Sequence, residues 1–394
     1  MPTQKPTASR GFSDHRAPLL AGVVASVTGT AASAGLVLAA LSSLGATKSQ
    51  TTSAVVTLLL LYGLLSVVLS TKFKMPISIV WSTPGAALLI ASGTLGLPFS
   101  DAAGAFIVTG LLLLLTGLWP ALGRLVSAIP KPIASAMLAG VIFNFCIAPF
   151  QSAVDFPWLV IPGLIVWLVL YKYATIWATP VAMLIIFAST AFSLGITVDP
   201  GEILPTFEFV LPTFDLTAII SISIPLYLVT MASQNIPGIA IMKSFGYEIP
   251  FKPVMVSTGS ATMAASFLGG FPMNLAAITA ALNANEQAHK NPSRRWLSSV
   301  YGGYFYILVA LFAGVAVAFV LQAPRELVLA AAGIALLGTI VSALSSAVEV
   351  VELRLPAMVT FLVTASGLSA FSIGSAFWAL IAGLAVWGWL KYRS

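Results

Sequence analysis

Cysteine, histidine and charge are the scarcest features of this sequence. Only 8% of the 394 residues are charged, and Cys146 is the single cysteine, which excludes a disulfide framework or a cysteine metal site within one chain. The two histidines, His15 and His289, lie far apart in polar segments, so no histidine cluster exists. A GxxxxGKS/T phosphate-binding loop is also missing, which argues against an ATP-driven pump on this polypeptide. No metal and no cofactor are therefore expected.

Long apolar runs make up most of the sequence. The chain is 59% hydrophobic, with a mean hydropathy of +1.01. A hydrocarbon core about 30 Å thick needs roughly 20 apolar residues per helix, and such runs recur from Pro18 to Leu390. The sequence therefore predicts an all-α polytopic membrane protein behind a polar tail of residues 1–17. The first apolar run is too long for the core of a signal peptide, and we expect it to be a retained helix.

The basic residues indicate the number and orientation of the spans. Fourteen spans fit best, at residues 18–44, 50–70, 76–91, 101–119, 132–149, 157–172, 175–196, 216–242, 252–268, 272–284, 296–320, 324–345, 356–369 and 371–390. With the N-terminus inside, this arrangement leaves only Lys48 and Arg325 of the 18 basic residues outside. Both termini are therefore predicted to be cytoplasmic. The net charge of +6 is an orientation signal beside lipid headgroups rather than a nucleic-acid footprint.

Two pairs of similar segments indicate an internal duplication. Pro76 in MPISIVWSTPG aligns with Pro272 in FPMNLAAITAA at a separation of 272 − 76 = 196. Pro130 and Pro324 differ by 324 − 130 = 194. Because each half then holds seven spans, an odd number, the second half must enter from the opposite face as an inverted repeat. The third and tenth spans are too short to cross the membrane as helices, so half-helices preceded by non-helical backbone are expected there.

A polar cluster stands inside the eighth span. The stretch LVTMASQNIPGIAIM carries Ser233, Gln234 and Asn235 in a row, followed by Pro237 and Gly238. Neighbouring residues on a helix point about 100° apart, so at least one or two of these polar side chains must face the interior of the bundle. Pro237 removes a helical hydrogen bond, and with Gly238 it predicts a break in the helix beside a substrate site.

The starts of the tenth and third spans complete the candidate site. Asn274 follows two glycines and Pro272 in the tenth span, and Ser78 and Thr83 occupy the corresponding part of the third. Two half-helix N-termini facing each other would concentrate partial positive charge and accept an anion without any Lys or Arg. The structural alternative stays open, above all for Ser78 and Thr83, because hydroxyls and amides in membrane helices often bond their own backbone or a neighbouring helix.

No Asp, Glu, Lys or Arg falls well inside any predicted span. A built-in carboxylate proton relay, which is usual in proton-driven carriers, is therefore not visible. Coupled protons would have to travel on the substrate or through a residue at the rim. Glu286, at the end of the tenth span, is the candidate for such proton coupling.

The sequence resembles a known transporter family. The stretch PLYLVTMASQNIPGIAIMKSFGY, with GGFPMNLAAITAA about thirty residues further on, resembles the benzoate:proton symporter family, and the likeness covers essentially the whole chain. More distantly, the sequence is similar to the nucleobase–cation symporters and related anion transporters. The resemblance implies two inverted seven-span repeats at residues 18–199 and 200–394. It also implies a core domain from spans 1–4 and 8–11, a gate domain from spans 5–7 and 12–14, a bacterial-type inner membrane location and a possible homodimer.

The same resemblance implies a transporter that imports an aromatic carboxylate, benzoate, together with a proton. Where the nucleobase carriers have acidic residues in the eighth and tenth spans, this sequence has Ser233 and Met273, and a fixed carboxylate there would repel an anionic substrate. Trp81, Phe267 or Phe271 is expected to flank an aromatic ring.

Several functions other than proton-coupled import of benzoate stay open at this point. A passive anion channel or facilitator could use the same scaffold, as could a carrier for another small organic anion or a nucleobase. A membrane enzyme is disfavoured, because no nucleophile–base pair or metal-ligand set is readable in the sequence.

Overall fold

The computed structural model describes residues 13–31, 33–119, 121–122, 128–197, 204–276, 278–368, 370 and 375–392. Residues 1–12 of the predicted polar tail lie outside this part of the chain, as do residues 371–374 of the last predicted span. Helices dominate the described residues, and two short strands lie among them.

Helices account for nearly all regular structure in the first half of the chain. The elements are α1 (Ser13–Ala31), α2 (Ala34–Ser43), α3 (Lys48–Phe73), β1 (Ile79–Trp81), α4 (Thr83–Ser92), α5 (Phe99–Leu118), α6 (Lys131–Asp155), α7 (Pro157–Tyr173) and α8 (Thr175–Leu194). A 3₁₀ turn, Gly93–Leu95, extends α4.

The second half repeats this composition. Its elements are α9 (Leu216–Ser244), α10 (Phe251–Ser266), β2 (Met273–Leu275), α11 (Ile278–Ala284), α12 (Trp296–Ala310), α13 (Ala313–Gln322), α14 (Arg325–Ala347), α15 (Arg354–Ala365) and α16 (Ser375–Tyr392). Short 3₁₀ turns precede α12 and α15, at Pro292–Arg294 and Val351–Leu353.

The length and composition of the helices define a polytopic helical membrane protein, as the sequence predicted. Among the described residues, seven helical segments are long and apolar enough to cross a membrane: His15–Ser43, Lys48–Phe73, Phe99–Leu118, Lys131–Asp155, Trp177–Leu194, Leu216–Ser244 and Arg325–Ala347. An eighth span is added if α12 and α13, which meet at an angle of 58°, are counted as one broken span. The count of fourteen spans stays a prediction.

The two short predicted spans begin as strands and not as helices. Residues 79–81 form β1, which pairs antiparallel with β2 so that Ile79 lies opposite Leu275 and Trp81 lies opposite Met273. The helices that follow are short, as expected: α4 has 10 residues and α11 has 7. Ser82 caps α4, since its hydroxyl accepts a hydrogen bond from the amide of Gly85. Two segments that are distant in the chain therefore meet at the paired strands, and a short half-helix follows each strand.

The break predicted at Pro237 is wrong. The helix α9 is continuous through this residue and widens into π-helical turns at Ile219–Ser223 and Met231–Asn235. Each wide turn lies just before a proline, Pro225 or Pro237. A proline cannot donate the ordinary i→i−4 hydrogen bond, and a local π adjustment lets the helix continue past it. The polar cluster Ser233–Asn235 therefore lies on a widened turn inside an unbroken helix.

Close helix packing in the core depends on glycine. A Cβ atom at Gly110 of α5 would lie 2.9 Å from the carbonyl oxygen of Gly259 in α10, and a Cβ atom at Gly259 would lie 2.6 Å from the carbonyl oxygen of Gly110. Small residues of this kind let two membrane helices approach until their backbones touch. The large buried cluster that contains Phe106, Phe271 and Leu113 surrounds this contact and the two strands.

Candidate functional site

A cavity of about 350 Å³ lies beside the paired strands, and we call it the central cavity. Its volume is within the usual range for a small-molecule site. Its lining is rich in hydroxyl and aromatic groups and comprises Thr28, Gly29, Thr30, Ser33, Tyr62, Val80, Trp81, Thr83, Pro84, Trp167, Tyr171, Thr175, Thr179, Gln234, Ala276, Thr279, Leu282, Tyr306, Ala335, Gly338 and Thr339. None of these described residues is an Asp, Glu, Lys, Arg or His.

Two separate groups of helices supply the two walls of the central cavity. One wall comes from α1, α3, α4, α9, α11 and α12, together with β1. The opposite wall comes from α7, α8 and α14, through residues such as Trp167, Thr179 and Gly338. The cavity therefore lies at the interface between two groups of helices, and a relative movement of the groups would change its shape.

Both half-helices start at the central cavity. Thr83 is the first residue of α4, and Thr279 is the second residue of α11. The start of α4 is fixed to α9, because the hydroxyl of Thr230 donates to Ser82 Oγ at 2.9 Å. The unpaired N–H groups at a helix N-terminus carry partial positive charge. Two such ends at one cavity provide an electrostatic environment that favours an anion.

Buried hydroxyl groups in the cavity are left with unused hydrogen-bonding capacity. Thr28 Oγ1 on α1 and Thr279 Oγ1 on α11 are buried and have no hydrogen-bond partner among the described residues. These two helices meet closely, since a Cβ atom at Gly29 would lie 2.9 Å from Thr279 Cγ2. A buried polar atom without a partner is costly. A ligand that accepts hydrogen bonds from these hydroxyls would remove that cost.

Aromatic side chains line both walls of the central cavity. Tyr62 makes edge-to-face contacts with Trp81 and Tyr306, with ring centroids 5.6 Å and 4.6 Å apart. Trp81 is held in place because its indole N–H donates to Ser33 Oγ at 2.8 Å. On the opposite wall, Trp167 and Tyr171 stack with their centroids 5.0 Å apart. The cavity therefore offers rigid aromatic surfaces to a flat ring.

Two of the sequence-predicted site residues, Thr83 and Gln234, lie in the cavity lining, together with Trp81 as a predicted ring contact. Asn235 does not line it. Its side chain is fully buried, its Oδ1 accepts a hydrogen bond from the amide of Leu275 at 2.9 Å, and its Nδ2 contacts Met231 Sδ at 3.4 Å. Asn235 thus joins α9 to β2, behind the wall of the site.

The other predicted residues are not found in the lining. Ser78 is 3.0 Å from Ser299 Oγ and accepts a hydrogen bond from Asn283, and Asn274 donates to the carbonyl oxygen of Leu275. The remaining ones are fully buried (Phe271, Met273), half-buried (Ser233, Pro237) or exposed (Glu286, beyond the end of α11). Most of the predicted site residues therefore lie near the paired strands and do not line the central cavity.

The carboxyl end of α11 is held by a buried arginine. Arg295 is 6% exposed, its Nη1 donates to the carbonyl oxygen of Ala284 at 2.7 Å, and its Nε donates to that of His289 at 2.8 Å. A cation at this position satisfies terminal carbonyls and opposes the helix dipole. In the neighbouring loop, burial raises the pKa of Tyr247, and the charge of Arg295 lowers it in part.

Sequence reasoning missed much of the lining. Thr28 and Thr30 flank Gly29 in the first span, and this small polar motif was the available signal. Trp167 and Tyr171 are four residues apart and share one face of α7, but that spacing is equally typical of a lipid-facing stripe. Within the described part of the chain, no group of three or more His, Cys, Asp or Glu side chains could hold a metal ion.

The fold is shared with a solved transporter. The transmembrane domain of a cyanobacterium bicarbonate transporter, BicA, matches with a TM-score of 0.60 over 95% of this chain and 98% of that chain, at 16% sequence identity. Identity this low supports a common fold and nothing finer. The chain thus has the fold of a polytopic membrane transporter.

Sequence comparisons narrow this class to a family. The family model described as benzoate membrane transport protein matches residues 13–388. Inner membrane protein YdcO of Escherichia coli (strain K12) is 39% identical over 379 residues, which cover 95% of this chain and 96% of that protein. A benzoate membrane transport protein of Acinetobacter baylyi is 33% identical over 324 residues, 80% of each chain. The chain therefore belongs to the benzoate membrane transport protein family, which confirms the resemblance and makes it a transporter rather than an enzyme.

Proposed function

We propose that this protein is a secondary active transporter that imports an aromatic carboxylate, benzoate, together with a proton. The observation that carries this proposal is the central cavity, where aromatic side chains, free hydroxyl groups and two half-helix N-termini meet and where the described lining contains no charged residue. The Acinetobacter baylyi relative, a benzoate membrane transport protein, supports benzoate as the substrate.

The carboxylate binds at the side of the central cavity where α4 and α11 begin. Thr28 and Thr279 donate their free hydroxyl protons to it, and Gln234 contributes its side-chain amide. The partial positive charge of the two half-helices supplies the electrostatic attraction. The residues behind the lining, Asn235 and Ser78 among them, keep the strands and helix ends in position through their hydrogen bonds.

The aromatic ring lies against the rigid aromatic groups. Trp81 and Tyr62 offer surfaces on one wall, and Trp167 and Tyr171 offer them on the other. Offset-stacked and edge-to-face contacts of this kind contribute roughly 0.5–1.5 kcal/mol each beyond the buried area. An aliphatic acid of equal charge would forgo them, so the site favours aromatic acids.

The proton travels with the substrate. The described lining contains no carboxylate or imidazole that could carry it, and Glu286 is exposed beyond the end of α11. The carboxylate binds as an anion beside the half-helix ends, and a proton that joins it there before the site changes sides avoids the cost of carrying a bare charge through an apolar environment. Glu286 is the alternative carrier, as a residue that exchanges protons at the rim.

Transport proceeds by alternating access between a core domain and a gate domain with the boundaries that the sequence predicts. The two walls of the central cavity come from these two sets of helices, which supports the assignment. The inverted repeat is supported by the strand pairing: Ile79 lies opposite Leu275, and 275 − 79 = 196 equals the separation of Pro76 and Pro272 in the same two segments. Antiparallel pairing of equivalent residues is expected at the axis that relates two inverted halves.

The orientation follows from the basic residues. Fourteen spans with both termini in the cytoplasm place Lys48 and Arg325 on the outer side, and the inner-membrane relative of Escherichia coli supports a bacterial inner membrane. A homodimer is the proposed assembly, by analogy with the wider group of transporters that the sequence resembles.

Uptake of labelled benzoate into proteoliposomes tests this function. An inward proton gradient should drive accumulation above the equilibrium level, and a protonophore should abolish that accumulation because it dissipates the gradient. Uptake that only equilibrates would contradict proton coupling and favour a facilitator or channel. Inhibition by a nucleobase, without inhibition by substituted benzoates, would contradict the aromatic acid as substrate.

A further inference from the structure

A second cavity, of about 520 Å³, lies between helices of which α4 and α14 also line the central cavity. Its lining continues from that of the central cavity by equal steps along the chain: from Ser33, which precedes α2, to Ala39 in α2, from Pro84 to Ile90 along α4, and from Ala335 back to Leu329 along α14. Each step is six residues, which corresponds to about 9 Å of helix. The two cavities therefore follow one another along α2, α4 and α14.

A thin apolar barrier separates the two spaces. Leu36, Leu88 and Ile334, which lie between the cavities on the three helices, are at most 1% exposed. Phe187 of α8 reaches this level, because a Cβ atom at Gly35 would lie 3.3 Å from Phe187 Cζ. The ring of Phe187 also meets Phe319 of α13 edge to face, with centroids 5.3 Å apart. This pair joins α8, which lines the central cavity, to α13, which lines the second cavity through Val320 and Leu321.

One full charge faces the second cavity. Arg325 is exposed, and it is the only charged residue among the described residues that line the space. The carboxyl ends of three helices also line it: Ser43 ends α2, Gly93 follows α4, and Leu321 lies in the last turn of α13. These ends carry partial negative charge, and the start of α14 at Arg325 carries partial positive charge. Because carboxyl ends outnumber the one amino end, the guanidinium of Arg325 is the main source of positive potential in this space.

We propose that the second cavity is an outer vestibule that binds small organic carboxylates before they enter the central cavity, with Arg325 as the residue that attracts them. The Phe187–Phe319 pair closes the passage between the two spaces. This inference rests on the proposed function for its substrate and on the proposed topology for its outer location. It assigns a binding site on the path that is separate from the central cavity.

Thiol labelling tests the vestibule without any need for transport. Thr94 is exposed in the lining, so Thr94→Cys is made in a Cys146→Ser background and labelled from outside with impermeant methanethiosulfonates, one anionic and one cationic. Arg325→Gln should lower the ratio of anionic to cationic labelling rates roughly 16-fold at low ionic strength, since two charges about 5 Å apart in water interact strongly enough to change each rate about four-fold, in opposite directions. Arg325→Lys should preserve the ratio, and benzoate should slow the anionic reaction.

The matched control is Lys48→Gln. Lys48 is also basic, exposed and the first residue of a helix on the proposed outer side, but it does not line the second cavity. Its removal should change the labelling ratio less than two-fold. An unchanged ratio in Arg325→Gln, an equal effect of Lys48→Gln, or labelling of Thr94→Cys from the inside only would each overturn the vestibule.

Benzoate uptake separates this inference from the proposed function. Arg325→Gln should raise the KM for uptake about four-fold at low ionic strength with an unchanged maximal rate, and high salt should remove the difference. If the parent protein takes up no benzoate, the proposed function fails, while slower anionic labelling in the presence of benzoate still decides whether the space binds carboxylates. A lower maximal rate with an unchanged KM would contradict a capture role for Arg325.

Discussion

Replacement of Asn235 by alanine should weaken the fold rather than the substrate contacts. The substitution removes the acceptor that pairs with the amide of Leu275 and leaves that buried N–H without its partner. An unsatisfied buried donor costs about 1–3 kcal/mol, and the lost contact with Met231 adds a smaller amount. We therefore expect the free energy of unfolding to fall by about 1–3 kcal/mol, with a melting temperature lower by roughly 5 °C.

Gln234→Ala is the matched comparison. Gln234 is the neighbouring amide, is half-buried and lines the central cavity. Its loss should change stability by less than about 0.5 kcal/mol, as is usual away from buried networks. Loss of one hydrogen bond to a carboxylate costs roughly 1.5 kcal/mol, so its KM for benzoate should rise about ten-fold.

Two measurements on the purified variants distinguish these roles. Thermal unfolding in detergent reports stability, and benzoate binding by calorimetry reports the site. A normal melting temperature for Asn235→Ala with complete loss of binding would refute the reasoning, because it would make Asn235 a direct ligand. Unchanged binding by Gln234→Ala would refute the assignment of Gln234 to the site.

Two further predictions concern the half-helix and the barrier. Arg295→Ala should lower the melting temperature, because the carbonyl oxygens of Ala284 and His289 lose their hydrogen-bond donor. Arg295→Lys should recover part of this loss, because the lysine ammonium can donate to one of the two carbonyl oxygens. Equal melting temperatures for both variants would contradict the capping role of Arg295. Phe187→Ala should increase benzoate leakage from loaded proteoliposomes without a proton gradient, since it removes one ring of the pair with Phe319; efflux at the parental rate would contradict the barrier.

The positions of the half-helices were predictable from the sequence, but the strands before them were not. Pro76 and Pro272 mark the starts of segments too short to span, and Gly269, with a φ of 82°, allows the turn that leads into the second one. Strands of three residues carry no usable alternation of side chains. Their partner lies almost 200 residues away in the chain, so no local signal announces the pairing.

The sequence located the polar cluster of α9 but could not show which of its residues faces the central cavity. Gln234, in the lining, and Asn235, behind it, point in different directions because successive residues on a helix are about 100° apart. The π-helical turn Met231–Asn235 adds one residue to the turn, so the direction of each side chain cannot be counted from an ordinary helical period. The wall formed by α7, α8 and α14 was even harder to predict from the sequence. The direction in which Trp167 points depends on how α7 packs against helices that are distant in the chain.

The described lining of the central cavity carries no charged side chain, so a protein that reorients around this site would carry no fixed charge of the site through the electric field across the membrane. A voltage of 100 mV changes the free energy of each elementary charge that crosses the membrane by about 2.3 kcal/mol. A carboxylate that moves together with its proton is neutral, and the empty site is neutral as well. Accumulation would then follow the pH difference alone, about ten-fold per pH unit. A cell whose proton-motive force is mostly voltage would concentrate such a substrate poorly, however steep that voltage is.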